Sequence, residues 1–158
     1  VRKTQKNTAE HRRELADLEQ RRIQDQEAAE RYRRGLENKA REEREGLKMQ
    51  AEDERLRRLM EVKNIFPRLK YRVGTDTFTY EVCKPKTLIG REQDNDLTLS
   101  DNKVSRHHAE IVFNGSSFEI IDKHSTNKVI VNGQFAERAV LRSGDIIGLG
   151  EVVITFIQ

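Results

Sequence analysis

GREQDNDLTLSDNKVSRHHAEIVFNGSSFEIIDKHSTNKVIVNG, residues 90–133, decides how the chain reads. It opens on Gly90-Arg91, which closes the apolar run Thr87-Leu88-Ile89. Ser105-Arg106-His107-His108 follows, and Thr126-Asn127 then precedes Val131-Asn132-Gly133. Between these clusters lie short runs of alternating apolar and polar residues, punctuated by Asn-Gly pairs. That is the pattern of short β-strands joined by tight turns.

The pattern continues on both sides. Leu69, Tyr71 and Val73 alternate with charged residues, Gly74-Thr75-Asp76 turns the chain, and Phe78, Tyr80 and Val82 return, which predicts a hairpin. Further strands are expected at 87–90, 97–99, 108–113, 117–122, 129–131, 145–149 and 152–157. Asn114-Gly115 and Asn132-Gly133 supply positive φ for tight primed turns, and Ser143-Gly144-Asp145 is a further turn. Residues 135–141 read as a short turn. Many short strands with polar turns and alternating burial predict an all-β sandwich over residues 64–158.

Residues 1–63 are of another kind. They hold 18 Lys and Arg against 15 Asp and Glu, one aromatic residue, Tyr32, and no proline. Residues 64–158 hold 12 charges of each sign, both prolines and all six Phe, so the formal net charge of +3 belongs to the first part. From Arg2 to Lys63 only Gly35 and Gly46 interrupt a run of good helix formers, and Pro67 marks the end of the segment. A helix of that length reaches on the order of 90 Å and buries no core of its own.

The spacing of its apolar residues bears on pairing. A heptad places Leu15, Leu18, Ala29, Tyr32 and Leu36 on a seam that Arg22, Asp25 and Gly46 interrupt. An eleven-residue period fits better, with Leu18, Ala29, Ala40, Ala51 and Val62 at one phase and Leu36 and Leu47 at another. The expectation is a coiled coil that self-associates or packs on a partner helix; the alternative is a solvated single helix laced by ion pairs. Charges of both signs around the helix argue against nucleic acid and against a membrane surface as partners. No run reaches the roughly 18 apolar residues of a membrane span. The single cysteine, Cys83, excludes an internal disulfide and fits a reducing, intracellular and cytoplasmic, compartment.

Taken together, Gly90-Arg91, Ser105-x-x-His108, Thr126-Asn127 and Asn132-Gly133 resemble the ligand-reading loops of a forkhead-associated (FHA) domain, and the resemblance covers nearly all of residues 64–158. It implies an FHA/SMAD-like sandwich that binds peptides containing phosphothreonine. The residue types suit that ligand: a phosphate brings about −1.5 to −2 charges and three acceptor oxygens, and needs a guanidinium with hydroxyl and amide donors converging from rigid loops.

By resemblance, Arg91 and Ser105 contact the phosphate, Thr126 lies beside it, and Asn127 hydrogen-bonds the peptide backbone. Arg106 neighbours the pocket, and Lys103 faces the residues after the phosphothreonine, favouring an acidic one. His108 braces the serine loop, Gly90 permits the close approach before Arg91, and Asn132-Gly133 is a turn that touches no ligand. One departure stands out: the family commonly has Gly then Thr after the asparagine, whereas Lys128 and Val129 follow Asn127 here. That puts the loop backbone in question and adds a tuning charge near the site.

Other chemistries fit poorly. Adjacent His107 and His108 point to opposite faces of a strand and cannot chelate one metal, so neither a metal nor a cofactor is expected. Gly148-Leu149-Gly150 precedes no helix and is no dinucleotide fingerprint. Ser105 and His108 have no acid placed to orient the histidine, so no enzyme is expected. The reading is a phosphothreonine-dependent adaptor with a helix that sets spacing and valency; the alternative is a phosphate-independent scaffold assembling through its coiled coil. A third reading is self-recognition through phosphorylation of Thr4 or Thr8.

Overall fold

A computed structural model describes the backbone of residues 2–158 and the side chains of residues 11–158; the side chains of Thr4 and Thr8 lie outside the described residues. One long helix, α1 (Arg2–Lys63), precedes eleven strands. The chain divides into two compact units, Val1–Met49 and Gln50–Gln158.

The first unit is helix alone. Along it Glu27–Arg31, Glu30–Arg34, Arg33–Glu37 and Arg41–Glu45 pair one turn apart at 3.0–3.6 Å. All are solvated, so each contributes only about 0.3–0.5 kcal/mol. Leu15, Leu18, Leu36 and Leu47 remain exposed. No helix among the described residues is long and apolar enough to cross a membrane.

In the second unit the last turns of α1 are part of the globule. Met60 is fully buried, and Leu56 and Leu59 pack on the same core. The helix stops at Asn64, three residues before Pro67. Asn64 takes a φ of 52°, its N–H donates to the Glu61 carbonyl at 3.1 Å, and the Ile65 N–H donates to the Met60 carbonyl at 2.9 Å. This is a Schellman cap, with Ile65 supplying the hydrophobic contact that usually accompanies it. A left-handed asparagine therefore sets the boundary that the sequence assigned to proline.

The strands are β1 (Arg68–Val73), β2 (Asp76–Glu81), β3 (Lys86–Gly90), β4 (Leu97–Thr98), β5 (Ala109–Phe113) and β6 (Phe118–Asp122). They continue with β7 (Val129–Val131), β8 (Gln134–Phe135), β9 (Arg138–Leu141), β10 (Ile146–Leu149) and β11 (Val152–Ile157). They form two sheets, ordered β2-β1-β11-β10-β7-β8 and β4-β3-β5-β6-β9. All the recorded pairings are antiparallel except β3 with β4. Alternate side chains of both sheets fill one core, at whose centre the Phe113, Phe118 and Phe156 rings lie 4.9 and 5.9 Å apart in sequence. The sandwich and its preceding helix are thus those the sequence predicted.

Two local expectations are corrected. Residues 135–141 are not a turn: β9 pairs with β6 from Phe118↔Leu141 to Ile121↔Arg138. Its pattern was obscured because an edge strand leaves Arg138 and Val140 outside and buries only Leu141 fully. The β5–β6 turn is shifted by one residue: the Asn114 N–H donates to the Ser117 carbonyl at 3.1 Å, so Gly115-Ser116 and not Asn114-Gly115 form its tip. The Asn114 carboxamide oxygen accepts the Ser116 and Ser117 N–H groups, and of the pair Asn114-Gly115 only Gly115 has positive φ. Asn132-Gly133 does form the primed turn, at φ 51° and 84°.

Candidate functional site

The β3–β4, β4–β5 and β6–β7 loops meet around an open cleft of about 480 Å³, lined by Arg91, Lys103, Ser105, Arg106, Thr126 and Asn127 among others. Backbone pairing joins the first two loops. The Arg91 N–H donates to the Ser105 carbonyl at 3.0 Å, and the Glu92 N–H to the Arg106 carbonyl at 3.2 Å. Asn95, nearly buried, clamps them by donating from its carboxamide to the Glu92 and Arg106 carbonyls at 2.7 and 2.8 Å. The approach requires glycine at position 90, where a Cβ would sit 2.1 Å from the Arg106 carbonyl oxygen.

His108 carries the floor of the site. It is fully buried; its Nδ1 accepts the Ser105 N–H at 3.0 Å and its Nε2 lies 3.2 Å from the Lys128 carbonyl. The first contact makes Nδ1 an acceptor, so the proton sits on Nε2 and is donated to Lys128. Burial pushes the pKa of the ring below the ordinary histidine value, against weaker opposing effects of the Lys128 carbonyl and Asp122. A neutral imidazole is the form that can make both bonds.

Above it, the Ser105 hydroxyl oxygen accepts the Thr126 N–H at 3.0 Å, tying the β4–β5 loop to the β6–β7 loop. Asn127 donates from its carboxamide nitrogen to the Lys103 carbonyl at 2.7 Å. Lys103 lines the cleft, but its ammonium pairs with Glu151 at 2.5 Å, and that carboxylate raises its pKa. Among the described residues Arg91 and Arg106 form no ion pair, and no carboxylate lines the cleft.

Lys128 stands apart from the rest. It holds a φ of 61°, so the backbone keeps the left-handed form that a glycine would adopt, despite the side chain. Its ammonium points to Asp122 at 3.8 Å, outside the cleft. Asn132 and Gly133 are likewise remote: the Asn132 carboxamide bridges Asp145 and the Ile146 N–H at 2.9 and 3.0 Å.

Asn102, His107, Lys123 and His124 also line the cleft and were not singled out from the sequence as site residues. Their signal was position, each lying within a few residues of a cluster already marked. Among the described residues no group of His, Cys, Asp or Glu side chains is arranged to hold a metal.

Comparison with known proteins matches these features to one family. A family model described as the FHA domain matches residues 87–150. The glycogen accumulation regulator GarA of Mycolicibacterium smegmatis is 38% identical over 74 residues, 47% of this chain and 47% of its own length. The chain spans about half the length of the curated relatives it matches. A solved structure from a study of phosphothreonine-dependent FHA domain interactions aligns with a TM-score of 0.55 at 33% identity, covering 59% of this chain and 96% of that one. Mycobacterium tuberculosis EmbR in complex with a low-affinity phosphopeptide aligns at 0.54 and 33% identity, covering 58% of this chain and 24% of EmbR.

Proposed function

Because the chain belongs to the forkhead-associated family, we propose that its cleft captures a phosphothreonine segment of a partner protein and that the chain acts as a non-catalytic adaptor. The observation that carries this is the state of Ser105. Its N–H is spent on His108 and its oxygen accepts from Thr126, which leaves the hydroxyl proton to donate into the cleft. Arg91 and Arg106 stand beside it without an ion pair. Two guanidinium groups and a hydroxyl with its proton free to donate, with no carboxylate lining the cleft, suit a dianionic ester.

In this reading Arg91 and Ser105 hold the phosphate, Thr126 flanks it, Arg106 and Lys123 set the local potential, and the Asn127 carboxamide oxygen accepts from the peptide backbone. Lys103, tied to Glu151, acts mainly through its carbonyl, which positions Asn127. Affinity is expected to be roughly micromolar, about 8 kcal/mol. Calorimetric titration of matched phosphothreonine, phosphoserine and unphosphorylated peptides tests the reading. Arg91→Ala is expected to weaken binding by about 1.5–3 kcal/mol, the range of a charge-assisted hydrogen bond. Equal binding of all three peptides, or indifference to Arg91→Ala, would refute it.

The helix is proposed to supply valency. Leu15, Leu18, Leu36 and Leu47 lie exposed on α1. Pairing of such helices would convert two weak peptide sites into one avid binder, with gains of roughly 10²–10⁴ where geometry permits. Sedimentation of the full chain against residues 50–158, before and after phosphatase treatment, separates pairing through the helix from phosphate-dependent assembly. Assembly that persists after phosphatase, without any phosphopeptide binding, would favour the scaffold reading instead.

A further inference from the structure

The outer face of the six-stranded sheet carries a feature that peptide capture in the cleft does not use. Cross-strand pairing sets Phe135 beside Ile130, Ile130 beside Gly148 and Gly148 beside Val153. Paired residues share a face, so these four form one row across β8, β7, β10 and β11. Ile147 and Leu149, which flank Gly148 along β10, are fully buried, so the row faces outward. Phe135 is 76% exposed, Val153 55%, and Ile146, two residues along the same face, 43%. A scattered surface apolar side chain needs no explanation, but a contiguous outward row does.

Gly148 gives the row its shape. A Cβ there would lie 3.4 Å from the Ile130 Cβ, so its absence leaves a hollow between Ile130 and Val153. Beyond Val153 the surface becomes a groove of about 460 Å³ between Lys70, Arg72, Thr77, Val153 and Thr155. Arg68, Lys70 and Arg72 alternate along β1 on this face, and among the described residues none forms an ion pair. Glu81 stands opposite Arg68 in register, but its carboxylate contacts Cys83 instead.

We propose that this face docks an amphipathic helix of a partner protein, with its apolar side on the row and carboxylates at the end that lies over β1. The row covers four strands, roughly 14 Å at the usual strand spacing, which matches two to three turns of helix. The missing side chain at Gly148 lets an apolar group of the partner approach the sheet backbone between Ile130 and Val153. The three unpaired cations demand the opposite sign, and Asp or Glu in a helix's first turn is also where the helix dipole favours it. A second copy of α1 fits less well, because residues 1–63 carry the positive excess. The surface would give a phosphorylated partner a second contact on a different face of the sandwich from the cleft.

Selection of a random, unphosphorylated peptide display library on the full 158-residue chain tests this. Enriched peptides should carry apolar residues at helical spacing with Asp or Glu at one end, and should protect or shift the amides of β7, β10 and β11. Their affinity should fall at least tenfold for Lys70→Glu/Arg72→Glu and for Val153→Asp, while binding of a phosphothreonine peptide is unchanged in both variants. These positions are exposed, so the variants should fold, and retained phosphopeptide binding shows that they have. The proposal is overturned if the library yields no acidic amphipathic peptides, or if those enriched ignore both variants. It is equally overturned if the chain instead pellets with 3:1 phosphatidylcholine:phosphatidylserine vesicles in a Val153-dependent way, or forms a dimer that Val153→Asp dissociates.

Discussion

Ser105 and His108 are bound to each other through the backbone of one and the ring of the other: the Ser105 N–H donates to the His108 Nδ1 at 3.0 Å. Since the opposite ring nitrogen reaches the Lys128 carbonyl at 3.2 Å, one buried imidazole joins the loop that carries Ser105 to the loop that carries Thr126 and Asn127. Protonating Nδ1 removes the acceptor and places a charge in the core.

A pH dependence follows from the direction of the shift. The folded pKa of His108 lies below its unfolded value of 6.5, chiefly through burial, so below 6.5 the unfolded chain binds the proton the folded chain refuses. The stability associated with the neutral ring is fully present above pH 6.5 and is lost as pH falls towards the folded pKa. Asp145, whose pKa is lowered by its hydrogen bonds from Asn132 and the Arg142 N–H, acts in a separate window at and below the ordinary carboxylate range. Denaturant titrations at pH 7.5 and 5.5 should show wild type losing stability at the lower pH. His108→Gln should be weaker at pH 7.5 and change less between the two; an identical pH response in both chains would show that His108 is not the titrating group.

Gly90→Ala should be among the most damaging single-methyl changes in the molecule. The added Cβ meets the Arg106 carbonyl oxygen at 2.1 Å and its carbon at 2.8 Å, which are backbone atoms that no side-chain rotation can clear. Separating the β3–β4 and β4–β5 loops breaks the Arg91 and Glu92 backbone bonds as well. A cost of about 3 kcal/mol, the upper part of the range for overpacking, is expected, with phosphopeptide binding lost in parallel. Thermal denaturation and calorimetry on the same sample check it. By contrast, Gly35→Ala meets nothing within 4 Å and removes a helix-interior glycine, so it should stabilise α1 by about 0.5–1 kcal/mol.

How much of this was legible beforehand depended on whether the signal was local. The strands that bury alternate residues, such as β6 and β11, were readable from their own side chains, and so was the uninterrupted helix from Arg2 to Lys63. β9 was not, because an edge strand buries too little to show a period. Gly90, Ser105 and Thr126 could be placed by motif, but the clamp made by Asn95 could not, since its two acceptors, Glu92 and Arg106, are joined only by folding. The same holds for Lys103: nothing near it in sequence announces Glu151, 48 residues away, as its partner.

Met60 makes the end of the helix a structural part of the sandwich. It is fully buried, and Leu56 and Leu59 close over the β5–β6 loop, where a Cβ on Gly115 would meet them at 3.6 and 3.9 Å. Residues 64–158 alone should therefore be markedly less stable than residues 50–158, which keep both the contact and the Asn64 cap. Met60→Ala in the full chain should cost about 2–5 kcal/mol. Denaturant titration of the two fragments and the variant decides it; equal midpoints for the fragments would mean that α1 contributes nothing to the core.

Lys128 offers the sharpest test of how backbone and charge divide the work of the β6–β7 loop. A non-glycine residue at φ 61° costs about 1–2 kcal/mol, which glycine would relieve. Glycine gives back part of that gain as unfolded-chain entropy, and it loses the half-exposed pair with Asp122, itself worth under about 1 kcal/mol. Asp122 would still accept from the Ser125 hydroxyl and N–H, so its carboxylate would not be left bare. Lys128→Gly should therefore be neutral to stabilising by about 0.5 kcal/mol, whereas Lys128→Val, with a β-branched side chain in the same left-handed conformation, should destabilise by about 1–2 kcal/mol. Because the ammonium lies outside the cleft, phosphopeptide affinity should hold within twofold for Lys128→Gly. A larger loss of affinity with the fold intact would place the Lys128 charge in the binding potential after all.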